Sequence, residues 1–378
     1  MTIRVGIVTA PHIDYELREH TFVLHNVRIG IGFHWDQTED EEFEGELEIV
    51  HNADGTETAV NIIDFESYIS CVICSEMSAD SPLELLKAQA VIARSWVLRN
   101  IGHTGHVGYD VCADDHCQRY NGIRRRSALA LQAVEETKGE VLIPLNTKLS
   151  TLNYKDICDC RYHKCCGGRT EIYSTCWEDK DYPYLQSVEC PYCNPINYMP
   201  TEALRSYMND YDRSTVNYHD WEVEYTQEEL SAIVREKMGV DFGLITDIIP
   251  LHRGASGRID RLEIVGTKHR EVIGKELRIR QALSKTTLYS SWFEIEKSFS
   301  DSGLSAIEEY RSRRSDQRSG LSGEVGPARF RFRGHGWGHG VGLCQIGAAV
   351  MAQQGFTYKQ ILAHYYRNTE ISCFCRKY

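Results

Sequence analysis

The sequence has no long hydrophobic run, no excess of positive charge and no internal repeat. No apolar stretch reaches the roughly 20 residues that a membrane-spanning helix requires, and the N-terminal residues lack the basic start and apolar core of a secretory signal peptide. The net charge of −12 argues against nucleic acid or an anionic membrane surface as the main partner, since both attract a basic face. A carbohydrate, or a neutral or cationic partner, fits this composition better.

Length and patterning predict a mixed α+β protein built from several parts. At 378 residues the chain exceeds the size of one ordinary hydrophobic core. Strand-like alternation over residues 1–60 predicts a β-rich N-terminal unit, and a stretch rich in Ser, Arg and Gly at 300–326 predicts a mobile loop. The predicted divisions are residues 1–60, 61–200 for the first part of an elaborated α/β core, 201–299 for a second α+β lobe, 300–326, and 327–378 for the second part of the core.

Hydrophobic periodicity predicts the clearest helix from Ser81 to Asn100, with Ser81 as N-cap and Pro82 at the first helical position. The acidic run from Glu39 to Glu48 is predicted to be a solvated loop or strand edge. Further helices are predicted over about residues 124–137, 226–238, 342–354 and 358–366.

The segment Arg333–Gly347, RGHGWGHGVGLCQIG, has six glycines among its fifteen residues, a composition that neither a helix nor a strand favours. It presents a set of polar and aromatic side chains: His335, Trp337, His339, Cys344 and Gln345. One interpretation is a carbohydrate site, in which the indole face and the imidazole and amide donors bind a sugar. A second is a thiol nucleophile paired with a histidine, and a third is a structural histidine cluster.

Glu76 is the first candidate for an acid catalyst. Apolar or small residues at 68–74 precede it and the predicted long helix follows, so it is expected where a buried segment meets a loop. A carboxyl group held beside apolar surface has a raised pKa, which suits a general acid near neutral pH. The alternative is an exposed glutamate in the turn before a helix.

Cys112, His116 and Cys117, with His106 as the fourth ligand, form a candidate zinc site. The adjacent His116 and Cys117 bind one ion only if the backbone forms a loop, which the neighbouring Asp-Asp and Asn-Gly pairs indicate. The alternative is a disulfide or a pair of buried thiols. The cysteine-rich segment from Cys158 to Cys193 is interpreted as a loop held by disulfides, with a second metal site as the alternative.

Six motifs in order resemble the stage II sporulation protein D family, which includes LytB-type amidase enhancers. The resemblance begins at about Asp64, so that residues 1–60 lie outside its strongest part. The motifs read DFESYISCVICSEM, SPLELLKAQAVIARSW, HCQRYNG, CCGGRTE with WED and YLQSV, SGRIDRLEIVG, and HGWGHGVGLCQIGAAVMAQQGFTYKQILAHYY.

The resemblance implies a peptidoglycan lytic transglycosylase that acts on glycan strands stripped of stem peptides, with Glu76 as the acid/base. It implies a structural zinc ion on Cys112, His116, Cys117 and His106. A glycan-binding groove is expected in the core, and its expected substrate-binding residues are His335, Trp337, His339, Gln345, Arg94 and Tyr120. The family also implies a location in the cell envelope, with peptidoglycan strands and a cell-wall amidase as partners.

Two alternatives remain at this point. The first is a non-catalytic LytB-like module that binds the cell wall and enhances an amidase, and the second is a thiol enzyme that uses Cys344 with a histidine. The chain also departs from the family pattern, because Cys344 stands where a serine is common and Cys165–Cys166 stand where serines precede a glycine pair. These cysteines leave room for additional metal or disulfides.

Overall fold

The computed structural model describes residues 1–148, 152–194, 201–209, 212, 218–299 and 329–374. It combines helices with several small sheets, which confirms the predicted mixed α+β class. The predicted mobile loop at 300–326 lies outside the described residues. None of the described helices is long and apolar enough to cross a membrane.

The described strands are β1 (Thr2–Ala10), β2 (Tyr15–Leu17), β3 (Thr21–Ile29), β4 (Gln37–Glu44), β5 (Glu46–His51), β6 (Glu57–Asp64), β7 (Val111–Cys112), β8 (Glu140–Pro144), β9 (Tyr162–His163), β10 (Asp220–Thr226), β11 (Ile245–Arg253), β12 (Ile259–Gly266), β13 (Arg270–Ile273), β14 (Phe293–Ser298), β15 (Arg329–His335), β16 (Leu343–Cys344) and β17 (Thr369–Cys373). The helices are α1 (Phe65–Glu76), α2 (Leu83–Asn100), α3 (Ala128–Glu136), α4 (Tyr173–Cys176), α5 (Thr201–Arg205), α6 (Gln227–Met238), α7 (Glu276–Ala282), α8 (Gln345–Gln353) and α9 (Tyr358–Tyr365). Short 3-10 turns cover Tyr154–Asp156 and Pro191–Cys193.

The N-terminal strands form a β-rich unit that continues into the rest of the chain. β1 lies between β6, which is antiparallel to it, and β7, which is parallel and pairs Gly6 with Cys112. This sheet packs on α1, α2 and α3 in one apolar core. The pairing brings the Cys112 loop onto the first sheet, while the division into domains stays a prediction.

Helix α1 was not predicted from the sequence. Asp64 caps it by accepting hydrogen bonds from the backbone N–H groups of Glu66 and Ser67. The helix is buried almost all round, so it lacks the alternation of apolar and polar faces that reveals a surface helix. Its last residue is Glu76, which is therefore at a helix C-terminus rather than in a turn before a helix.

Helix α2 confirms the clearest predicted helix, with a corrected start. The helix begins at Leu83, and Pro82 occupies the N-cap position. The Ser81 hydroxyl does not cap it, because this hydroxyl donates to the carbonyl oxygen of Tyr207 instead. α2 contributes to both large apolar cores and contacts α8 and α9 near the C-terminus.

The acidic run lies on β4 and β5, which are both edge strands, in line with the predicted strand edge, but one of its carboxylates is not solvated. Glu41 in β4 is fully buried and forms an ion pair with Arg125, in which Nη1 and Oε1 lie 3.1 Å apart. Arg125 also pairs with Glu39, and Arg126 pairs with Glu44. The arginines predicted to start a helix near residue 124 thus cover the acidic strand, and α3 begins after its N-cap Ser127.

The glycine-rich segment leaves β15 and crosses the cysteine-rich loop before α8. β15 pairs with β10 and β14, and the backbone of Trp337 then exchanges two hydrogen bonds with that of Cys165. Gly342 has φ of +75°, and a Cβ there would lie 1.9 Å from the carbonyl oxygen of Arg161. The glycines therefore allow the two chain segments to lie in direct backbone contact.

Candidate functional site

A cavity of about 280 Å³ lies where the end of α1 meets the Tyr162–Lys164 segment and the glycine-rich segment. We call it the Glu76 cavity. Residues from distant parts of the chain line it, including Phe33, Glu76, His116, Cys117, Arg119, Tyr162, His163, Lys164, Trp177, Trp337, His339 and Gln345. Its size is near the lower end of the range for small-ligand sites. A longer glycan-binding groove stays a prediction.

Glu76 is held in one orientation by neutral donors. Its Oε1 accepts hydrogen bonds from the backbone N–H of Arg119 at 3.1 Å and from the Tyr162 hydroxyl at 3.0 Å. Only 8% of the residue is exposed. The Lys164 ammonium group donates to the Glu76 carbonyl oxygen at 2.8 Å, which fixes the backbone at the same point.

The electrostatic surroundings disfavour the charged form of Glu76 relative to an exposed glutamate. Burial raises the pKa of its carboxyl group above the ordinary value, and the charges of Arg119 and Lys164 offset only part of this rise. Both cations are already paired with the fully buried Asp212, whose Oδ2 lies 2.7 Å from Lys164 Nζ and 3.4 Å from Arg119 Nη1. Although burial disfavours its charge, these cations hold the pKa of Asp212 below its usual range.

The other two carboxylates that line the cavity are neutralised by arginine. Asp115 lies 2.8 Å from Arg119, and Glu276 lies 3.3 Å from Arg280. Glu76, whose pKa is raised by burial, is therefore the carboxyl group of the cavity best suited to donate a proton.

The wall opposite Glu76 carries His339, whose ring is neutral. Its Nδ1 accepts a hydrogen bond from the Val341 backbone N–H at 3.0 Å, so the proton resides on Nε2. Burial lowers the pKa of His339 well below its ordinary value. The ring packs edge-on against Trp177 and His163. Trp337 also lines the cavity, although only 4% of it is exposed.

Three residues that line the cavity have a buried polar atom without a hydrogen-bond partner among the described residues: Arg161 Nε, His163 Nε2 and Gln345 Nε2. His163 Nδ1 faces the Val341 carbonyl oxygen at 3.1 Å, which leaves Nε2 as an acceptor. Buried polar atoms without partners are rare, and here three belong to residues that line one cavity. Such atoms favour a ligand with hydroxyl or amide groups.

Three of the predicted substrate-binding residues lie elsewhere. Arg94 is buried in a bidentate ion pair with Glu66, and the Tyr120 hydroxyl donates to Asn61 Oδ1 at 2.6 Å inside the core. The His335 ring turns toward Asp220, with Nδ1 and Oδ1 2.6 Å apart. None of the three lines the Glu76 cavity, so we leave them out of the proposed site.

Sequence reasoning missed Arg119, Tyr162, His163, Lys164 and Trp177, which line the cavity. For Tyr162, His163 and Lys164 the signal was present in RYHKCC, where aromatic and basic residues directly precede two cysteines and two glycines. The many cysteines of this segment favoured a prediction of disulfides, and the residues beside them were not predicted to line a site.

The predicted Cys/His set comes together at the cavity rim. The ligand atoms of His106, Cys112, His116 and Cys117 all lie within 4.8 Å of one another. His106 Nε2 is 3.3 Å from Cys117 Sγ, and the hydrogen bond with Cys117 lowers the pKa of Cys112 to about 5. Two thiols and two imidazoles at this spacing fit a tetrahedral zinc ion.

A second group consists of Cys166, Cys190, Cys193 and Cys344, which are fully buried and whose Sγ atoms lie within 4.8 Å of one another. This group is of a kind that binds a metal ion. Cys344 points into it and does not line the Glu76 cavity. The structure thus gives no support to Cys344 as a nucleophile.

Comparison with known proteins relates two parts of the chain to described families. The model of the family described as "Stage II sporulation protein" matches residues 53–143, which include Glu76 and the Cys/His set. A model described as a domain of unknown function matches residues 171–342.

Relatives extend over most of the chain. An uncharacterized protein of Brachyspira hyodysenteriae is 29% identical over 87% of this chain and 72% of its own length. The stage II sporulation protein D of Bacillus subtilis is 26% identical over 85% of this chain and 78% of its own. The amidase enhancer of Bacillus subtilis is 26% identical over 80% of this chain but only 40% of its own length. We therefore assign the chain, as a distant member, to the stage II sporulation protein D family.

Proposed function

We propose that this protein is a lytic transglycosylase that cleaves peptidoglycan glycan strands lacking stem peptides, with Glu76 as its acid/base. The observation that carries the proposal is the buried Glu76 carboxyl group, held by Arg119 and Tyr162 in a cavity that also offers unpartnered polar atoms. Family membership supports an action at the cell wall and a location in the cell envelope.

The proposed reaction needs one carboxyl group. Protonated Glu76 donates its proton to the glycosidic oxygen as the bond from C1 to that oxygen breaks. The resulting carboxylate then removes the proton from the C6 hydroxyl of the same sugar, whose oxygen bonds to C1 and closes a 1,6-anhydro ring. No water is consumed and no second carboxylate acts as nucleophile, unlike in a retaining glycosidase.

The zinc ion proposed at His106, Cys112, His116 and Cys117 would be structural, because four protein ligands leave no open position. When bound, it would close the loop that ends at Arg119, whose backbone N–H contacts Glu76. These residues therefore position the donor rather than take part in the reaction.

Cys112→Ser is expected to lower the zinc content by about one ion per chain. It should also lower the rate of glycan cleavage, because the backbone N–H of Arg119 that contacts Glu76 shifts, while most of the protein stays folded. Metal analysis and assays on stripped glycan measure both effects. An unchanged zinc content would contradict the site. Cys71→Ser is a suitable control, since Cys71 is buried outside both groups.

Gln345→Leu is expected to raise KM for stripped glycan about tenfold, because one hydrogen bond to the ligand, worth roughly 1.4 kcal/mol, is lost. Gln89→Leu is the matched control. The Gln89 amide is also buried without a partner among the described residues, but it does not line the cavity. We expect this control to keep KM and to unfold at a higher temperature. Equal KM values for the parent and Gln345→Leu would remove Gln345 from the site.

A second candidate function is a non-catalytic module that enhances a cell-wall amidase, which the 26% identity to an amidase enhancer favours. A module of this kind would bind glycan without releasing anhydro ends. The parent protein and Glu76→Gln would then raise the activity of an added amidase to the same extent.

A further inference from the structure

The four-cysteine group (Cys166, Cys190, Cys193 and Cys344) joins three segments that are far apart in sequence. Cys166 directly precedes the glycine pair. Cys190 precedes a 3-10 turn and Cys193 is its last residue, which gives the Cys-x-x-Cys spacing. Cys344 is the N-cap of α8. All four side chains are fully buried, so solvent does not reach this group.

The sulfur spacing matches a single tetrahedral ion. With Zn–S bonds of about 2.3 Å, two sulfurs of a tetrahedral site lie about 3.8 Å apart. Cys166 Sγ and Cys193 Sγ are 3.4 Å apart, and no pair in the group exceeds 4.8 Å. A disulfide bond would require about 2.05 Å. An iron–sulfur cluster would require the sulfurs to surround a larger inorganic core.

Hydrogen-bond donors converge on the sulfurs, as buried thiolates require. Cys344 Sγ accepts from the backbone N–H groups of Cys166 at 3.3 Å and Gly347 at 3.4 Å. The Tyr365 hydroxyl lies 3.1 Å from Cys190 Sγ. A Cβ at position 347 would lie 2.6 Å from Cys190 Sγ, so glycine is required for this approach.

We propose that Cys166, Cys190, Cys193 and Cys344 bind one zinc ion in a closed structural site, separate from the Cys/His set at the cavity rim. Four sulfur ligands fill a tetrahedral coordination sphere and leave no position for substrate or water. The ion joins the segment that carries His163 to the helix that carries Gln345, and so holds the cavity wall together. The proposal concerns metal content, and it stands or falls independently of glycan cleavage.

The test is the zinc content and the zinc X-ray absorption spectrum of the full chain, purified under reducing conditions without chelators. Cys193→Ser is expected to lose about one zinc ion per chain and to unfold at a lower temperature. Cys158→Ser is the matched control, because Cys158 is equally buried in the same cysteine-rich segment but belongs to neither group. In Cys112→Ser, the remaining zinc is expected to have four sulfur ligands at about 2.3 Å and no nitrogen ligand.

Three results would overturn the proposal. They are zinc bound only by a mixture of nitrogen and sulfur, disulfides linking these cysteines in the purified protein, and iron in place of zinc. If Cys193→Ser does not fold, the zinc X-ray absorption spectrum of the unsubstituted protein tests the proposal. An average of about three or four sulfurs per zinc supports the four-cysteine site, whereas about two sulfurs, as in the Cys/His set alone, contradict it.

Discussion

Replacing Glu76 by Gln is expected to reduce the release of anhydro-ended sugars from stripped glycan by about a thousandfold, because general acid–base catalysis is lost. The amide keeps the shape of the side chain and still accepts from Arg119 and Tyr162 through its oxygen, so the fold should persist. Chromatography of a glycan digest with detection of anhydro ends measures the effect. Glu135→Gln is a control of the same chemistry on the exposed face of α3.

Equal product release by the parent and Glu76→Gln would contradict the assignment of the acid/base. The pH dependence gives a second check. The carboxyl group must be protonated to act as an acid, so parent activity should fall as pH rises through its raised pKa, which lies above the ordinary glutamate value. The same shift lowers the stability of the parent as pH rises from the ordinary glutamate pKa to the raised pKa of folded Glu76. Above this raised pKa, Glu76→Gln should therefore be more stable than the parent.

Asp212→Asn is expected to lower the free energy of unfolding by about 3–5 kcal/mol, because it leaves Lys164 buried without its carboxylate partner and removes one of the two carboxylates paired with Arg119. Urea unfolding measures this loss. With the charge of Asp212 gone, the two cations should also stabilise the Glu76 carboxylate more strongly and lower its pKa, so that the fall in activity with rising pH occurs at lower pH.

Asp179→Asn is the control for this effect, because Asp179 is an exposed residue paired with Lys275. Exposed pairs of this type contribute at most about 1 kcal/mol. A similarly small loss for Asp212→Asn would show that Asp212 does not balance the two cations. If the activity of Asp212→Asn instead fell at a higher pH than that of the parent, the proposed electrostatic effect of Asp212 on Glu76 would be contradicted.

The sequence predicted those features that arise from local patterning. Helix α2 and the helix capped by Thr226 follow from periodicity and capping residues, and the structure confirms both. The Cys/His set was also predictable, because its ligands lie within twelve residues of one another in a loop. Glu76 was singled out correctly as a residue beside apolar surface, although its helix was not.

Features that depend on long-range contacts were not predictable. Arg94 and Tyr120 lie near the relevant segments in sequence, but each finds a buried polar partner in the core and turns away from the cavity. His163 gains its place only because β9 pairs with β16, about 180 residues later. The four-cysteine group is likewise assembled from segments whose proximity only the fold reveals.

The glycine-rich segment contacts the Tyr162–Lys164 segment but is synthesised much later, so the cavity can form only near the end of translation. Glu76 and three of the four grouped cysteines leave the ribosome well over 100 residues before Cys344 does. Until then the cavity lacks its far wall, and Cys166, Cys190 and Cys193 lack their fourth companion. Nascent chains therefore expose reactive thiols for as long as it takes to translate the intervening part. During this interval the three thiols are open to oxidation or to other metal ions, which the folded protein excludes by burying them.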